Sequence, residues 1–213
     1  MPKSLIKPLL LTCLAVCGAH AKADTVTFNG FVNGSMGTNI TVGAYNLSAP
    51  MGGFSTSLNG GPSFTTYCVD VYQFLTFGPT YTDYTQVAGN VYAFANPNAN
   101  QDLGRLFSEN QTVNSPLTQA AFQIALLEIA FETSGSYNVN SGQATFTSAA
   151  SALANSWLAA LPGQSNYNIT VLHSDNRQDV LFATPVPEPD SLALMIAGLL
   201  GLGIVSRRRQ TKA

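Results

Sequence analysis

The sequence predicts an α+β protein: a single β-rich ectodomain with a helical insertion and a short apolar segment beyond each end. Three observations predict it. From Thr25 to about Val87, apolar and polar residues alternate between Gly- and Asn-rich turns. From there to Leu161, apolar residues recur at helical spacing. After Asn166, alternation returns in two short runs that stop at a proline-rich stretch. Strands, then helices, then strands is the order of an α+β domain rather than of a parallel α/β sheet.

The chain starts with Lys3 and Lys7, continues through an apolar run from Leu9 to Val16, and reaches Ala21-Lys22-Ala23. A basic start, a short apolar centre and a small-x-small site make residues 1–23 a signal peptide with cleavage before Asp24, so signal peptidase is an expected partner. The run is too short for a permanent span. Leu14-Ala-Val-Cys17 is a loose lipobox, with Val16 large for its position.

The stretch 25–58 reads as strands, with Val26 and Phe28, then Ile40 and Val42, on one face, and with Asn33-Gly34 and Gly52-Gly53 as turns. The next stretch, through Phe64-Thr-Thr-Tyr-Cys68-Val-Asp70, continues the β pattern. Gly78-Pro79 separates two further strand candidates, and alternation puts Asp70 on the same strand face as Cys68. After Val87 the pattern turns to short helices broken at Pro97. A long helix follows over 115–133, with Ser115 as N-cap, Pro116 in the first turn and Gly135 as its stop. A second helix over about 147–161 puts Ala150, Leu153, Trp157 and Leu161 on one stripe. Residues 166–174 and 178–184 read as a closing hairpin at the domain edge, with His173 near its turn.

On the long helix, at about 100° per residue, Glu128 and Glu132 lie roughly opposite Gln123. Together with Ala121 and Ala125 they form the expected solvent face. Gln119 and Gln123 point with Leu126, Leu127 and Ala130 toward the core. A buried amide without partners costs about 1–3 kcal/mol, so each glutamine needs a partner or a task.

Charge is sparse and uneven. Between Asp24 and Val186 two arginines face nine carboxylates, a balance of minus seven hidden in the whole-chain value of −2. This argues against nucleic acid or anionic lipid as a partner. One histidine and one cysteine outside the signal peptide leave metal binding and a Cys–His enzyme little support. No cofactor or metal is expected, and no catalytic residues are assigned. An extracellular hydrolase ranks third among the readings.

The C-terminal end runs Pro185-Val-Pro187-Glu188-Pro189, an apolar stretch within 191–206, then Arg207, Arg208 and Arg209 and a 210–213 tail. The prolines favour an extended spacer. The apolar stretch falls a little short of the ~20 residues of an ideal span, and the arginines place its end on the cytoplasmic side. Proline-glutamate-proline, apolar helix and arginine cluster in this order, at 185–209, resemble the PEP-CTERM sorting signal. The resemblance implies processing by an exosortase, a membrane transpeptidase-like enzyme of Gram-negative bacteria that make exopolysaccharide. It further implies transient anchoring in the inner membrane, then release or attachment at the cell surface, outer envelope or extracellular matrix.

Two stretches of the 24–184 ectodomain, Tyr67-Cys68-Val69-Asp70 and Phe122-Gln123-Ile124-Ala125-Leu126-Leu127, resemble the paired signatures of bacterial thioester adhesin domains. In that family a strand cysteine displaces ammonia from a helix glutamine. The resemblance implies a Cys68–Gln123 thioester that an amine-bearing surface or matrix polymer would open, with Asp70 as possible support. Phe122 and Leu127 stand where the pattern usually has Thr and Trp, and Thr118-Gln119-Ala120 offers Gln119 as alternative partner. The other reading of Cys68 is a buried free thiol packing as a small hydrophobe, in a non-covalent carbohydrate- or matrix-binding module.

Overall fold

The computed structural model describes residues 23–109, 112–187 and 194–195. Residues 1–22, with Ala21, lie outside this range. So do Glu188, Pro189, Arg207, Arg208, Arg209 and nearly all of the 191–206 apolar stretch. Among the described residues, no helix is long and apolar enough to cross a membrane.

Nine strands and three helices are described: β1 (Asp24–Phe31), β2 (Met36–Val42), β3 (Tyr45–Met51), β4 (Phe54–Leu58), β5 (Ser63–Cys68), β6 (Thr80–Ala88), α1 (Ala99–Ser108), α2 (Pro116–Phe131), β7 (Ala144–Thr147), α3 (Ser151–Ala159), β8 (Tyr167–His173) and β9 (Val180–Pro185). Six strands close an antiparallel barrel in the order β1-β4-β5-β9-β8-β6, and β3-β2-β7 form a separate small sheet. The β-rich α+β class follows from this arrangement.

The barrel closes because its inward positions carry large apolar side chains at period two. Val26, Phe28, Tyr84, Val171 and Leu181 are buried, and Phe28 meets Phe54, Tyr81 and Tyr84 at ring distances of 5.8–6.1 Å. Two inward threonines, Thr56 and Thr66, satisfy each other at 2.7 Å. The β4–β5 turn uses Asn59 and Gly60, both with positive φ (52° and 71°), a conformation these two residue types tolerate.

The closing hairpin is not at an edge. β9 lies between β5 and β8, with Tyr67 opposite Leu181 and Cys68 opposite Val180. An antiparallel sheet of six strands leaves two edges, and closure removes both. The expected strand after Cys68 is also absent: residues 69–79 form an irregular loop that buries Val69 and Val71 and exposes Tyr72 and Phe74. Asp70 therefore lies in that loop and not on a strand face with Cys68. Four residues expected before or at the start of the second helix, 144–147, instead add β7 to β2. α3 begins at Ser151, with Ala154 and Leu158 deepest and Leu153 and Trp157 only partly covered. One helix, α1, follows Pro97 where several short ones were expected.

α2 shows why helical periodicity failed on one side. Ser115 caps it by accepting the Thr118 N–H on its hydroxyl, and the Thr118 hydroxyl oxygen in turn accepts the Ser115 N–H. Pro116 stands in the first turn, and the helix ends at Phe131, before Gly135. Every residue from Gln119 to Ala130 is buried. β5, the small sheet, α1 and α3 all pack against it, so no solvent face remains. The expected solvent-facing Ala121, Ala125, Glu128 and Glu132 are inside. The loop 133–143 wraps over the two glutamates and binds them through its backbone. Asn138 N–H reaches Glu128 Oε1 (2.8 Å), Ser134 N–H reaches Glu132 Oε1 (2.8 Å) and Gln143 N–H reaches Glu132 Oε2 (3.0 Å). Glu128 Oε2 has no partner among the described residues.

Candidate functional site

β5 ends at Cys68, and the reason lies in its neighbour. The β4–β5 ladder pairs Ser57 with Ser63 through Phe54 with Thr66, and there β4 departs. In an antiparallel ladder, backbone groups turn alternately to one neighbour and the other. Val69 N–H bonds the carbonyl of Asp179, the residue just before β9, so the N–H and C=O of Cys68 face the side that β4 has left. Gln123 fills the gap. Its Oε1 accepts from the Cys68 N–H at 2.9 Å, and its Nε2 donates to the Cys68 carbonyl at 2.8 Å. The side-chain amide stands in for the missing strand.

Gln119, one turn earlier, does a parallel task on the end of β4. Its Oε1 accepts from the Gly53 N–H and the Tyr67 hydroxyl, each at 3.1 Å, and its Nε2 donates to the Val113 carbonyl. Gly53 must be glycine here, because a Cβ would sit 2.8 Å from Gln119 Oε1 and 2.9 Å from the Tyr67 ring. Both glutamines point into the core, as the helix geometry implies, but only Gln123 touches Cys68.

Cys68 is the one free cysteine among the described residues and is 3 % exposed. Its Sγ donates to the Asp70 carbonyl at 2.8 Å. Gln178 donates to that same carbonyl at 2.9 Å. Burial pushes the thiol well above its ordinary pKa. Asp70 and Asp179 add to the rise, and hydrogen bonding from the Asp70 backbone and the Gln178 side chain works against it. The Asp70 carboxylate closes a turn onto the Tyr72 N–H at 2.7 Å. Burial raises its pKa, and that turn bond opposes the rise.

Above the pair is a cavity of about 170 Å³ whose walls include Phe31, Met51, Phe54, Leu75 and Phe77, with Cys68, Gln123 and Gln178. Phe74, at the mouth, is 66 % exposed, and Phe77 packs on Phe31 and Phe54. The walls are mainly apolar, and the amide and the thiol among them are themselves buried.

His173 ends β8 and is joined to Asp179, the residue whose carbonyl accepts the Val69 N–H. Its Nδ1 is 2.8 Å from Asp179 Oδ2, which also accepts the Tyr92 hydroxyl at 2.7 Å, while Asp179 Oδ1 accepts the Ser174 N–H. Hydrogen bonding to Asp179 raises the imidazole pKa. Among the described residues His173 is not part of the cavity wall, and no group of three or more His, Cys, Asp or Glu is placed to hold a metal. Sequence reasoning missed Gln178. Its neighbourhood to Cys68 arises only from the β5–β9 pairing, which no local pattern in the chain announces.

Comparison with known proteins assigns the far end of the chain. It is an exported protein, sorted at the membrane. Residues 185–209 match the family model of the PEP-CTERM protein-sorting motif, a segment that includes Pro187, Glu188, Pro189, Arg207, Arg208 and Arg209 and is acted on by an exosortase-type membrane protease. No curated protein and no solved structure matches the chain.

Proposed function

We propose that this exported, exosortase-sorted protein serves as an adhesive component of the cell surface or exopolysaccharide matrix, and that its 24–184 ectodomain attaches covalently through a Cys68–Gln123 thioester. The chain is not an enzyme in this reading. It acts once, by acylation. The supporting observation is the Gln123 amide clamped on the backbone of Cys68 at the floor of an apolar cavity.

The chemistry balances without a co-reactant. Cys68 Sγ attacks the Gln123 carboxamide carbon, the C–N bond breaks, and the nitrogen leaves as ammonia with the thiol proton. The Cys68 N–H on Oε1 polarises the carbonyl and steadies the oxyanion. Held geometry supplies a large effective concentration. The raised thiol pKa makes the nucleophile scarce at neutral pH, so the bond forms slowly during maturation, and burial then guards it from water.

The test is the intact mass of the processed ectodomain, which should be low by one ammonia, with methylamine then adding to it. Cys68→Ala should abolish both. A full-mass protein whose native thiol reacts freely with maleimide would end the reading. For sorting, changing Arg207, Arg208 and Arg209 to glutamine should leave the unprocessed precursor in the membrane fraction. Unchanged release of a shortened protein would contradict it.

One observation favours a second reading, a non-covalent matrix-binding module. Tyr72, Phe74 and Phe77 stand exposed on one loop, a surface suited to stacking on sugar rings. In that case Gln123 only staples α2 to β5.

A further inference from the structure

The nature of the acceptor follows from the distribution of amines in the chain, and the inference rests on the thioester reading. From Ala23 to Thr211 there is no lysine. Lys3, Lys7 and Lys22 precede the expected cleavage, and Lys212 follows the arginine cluster. The ectodomain does carry cations, but both are arginines. Arg105 bonds Asp102 at 2.7 Å and the Pro162 carbonyl. Arg177 bonds Asp83 at 3.3 Å and lies 4.1 Å from the Tyr81 ring. A guanidinium stays protonated and offers no lone pair to an acyl carbon, whereas a lysine amine deprotonates and attacks.

The one primary amine left on a processed ectodomain is the α-amino group at its start. β1 sets it at the end of the barrel away from Cys68, since Val26 pairs with Leu58, Ser57 with Ser63, and β5 runs from Ser63 to Cys68. Asp24 is also tied to Asn59 and Gln86 through its carboxylate at 2.7 and 3.0 Å. Cys68 and Gln123, at 3 % and 1 % exposure, are themselves buried among the walls of the cavity.

We infer that the lysine-free ectodomain keeps copies of this chain from consuming one another's thioester, so that the bond is held for an amine on a different molecule. The acceptor nitrogen attacks the Gln123 acyl carbon, the C–S bond breaks, an amide forms, and the amine proton passes to Cys68 as its thiol is restored. Nine carboxylates against two arginines favour the approach of an ammonium-bearing partner.

The test uses processed protein kept alone at high concentration and neutral pH, beside Val91→Lys and Thr82→Lys, two exposed positions outside the cavity wall. Denaturing electrophoresis and intact mass are the readouts. The wild type should stay monomeric and keep its ammonia deficit. The lysine variants should form covalent dimers that vanish when Cys68→Ala is added. Wild-type dimers matching those of the variants overturn the inference and leave the thioester standing. So do lysine variants that stay monomeric although methylamine still adds to them. A wild type of full mass overturns both.

Discussion

Replacing Gln123 by Ala should destabilise the ectodomain by roughly 2–5 kcal/mol, read as a fall in the urea midpoint. Measured against protein whose Gln123 is still an amide, the substitution strands the N–H and C=O of Cys68 in a buried place, and each unpaired group costs about 1–3 kcal/mol. β4 cannot return to pair them, because Gly53 and Gln119 hold its end elsewhere. Cys68→Ser keeps both bonds to the amide and should cost much less. The pair of variants separates two roles of one side chain. A large loss for Gln123→Ala with a small one for Cys68→Ser means that the amide's service as a surrogate strand carries the stability. Equal losses would mean that the sulfur link carries it. Gln119→Ala, which strands the Gly53 N–H and the Tyr67 hydroxyl, should also fall below wild type.

Glu128→Gln should make the protein more stable than wild type above neutral pH, by up to about 3 kcal/mol. Burial, with Glu132 nearby, raises the Glu128 carboxyl to about 7, against a partial lowering by the Asn138 N–H. Below about pH 4.5 it is protonated folded and unfolded alike, and it changes nothing. Between there and pH 7 the unfolded chain releases the proton and the folded one holds it. Wild-type stability therefore declines as pH rises through that window. Glutamine keeps the acceptor for Asn138 and carries no charge. Glu132, two backbone donors away from the same problem, behaves oppositely: the Gln143 and Ser134 N–H groups lower its pKa, and its contribution fades only on acidification. Urea unfolding of the two proteins from pH 5 to 8 tests this, and parallel pH curves would refute it.

The sequence was legible where a side chain answers to its own segment. Alternation located β1 to β6 and the closing pair of strands, and Ser115-Pro116 marked the start of α2 to the residue. It was misleading where a second segment covers the first. Glu128 and Glu132 read as a wet face because charged side chains seldom enter a core without partners. Their partners are backbone N–H groups of the 133–143 loop, and those carry no signature in residue type. The same blindness hid β7, whose four residues are a strand only because β2 lies beside them.

For the candidate site, the residue types and the helix phase singled out Cys68, Gln123 and Gln119, since two amides on an apolar face demand partners wherever the chain goes. Which amide meets the cysteine was open until the fold supplied a reason. β4 leaves β5 one bonding place early, and Gln123 is the residue at that height. The sorting tail needs no such context. Its order of prolines, apolar residues and arginines acts as linear chemistry read by a membrane and an enzyme, so the sequence alone determined it. The lysine-free stretch, too, is a property of the chain. What only the tertiary structure decided is adjacency: Gln123 on Cys68, Gln178 beside the thiol, and an apolar cavity above them. Those groups are far apart in the chain, and only the packing of α2 against β5 and the pairing of β9 with β5 bring them together.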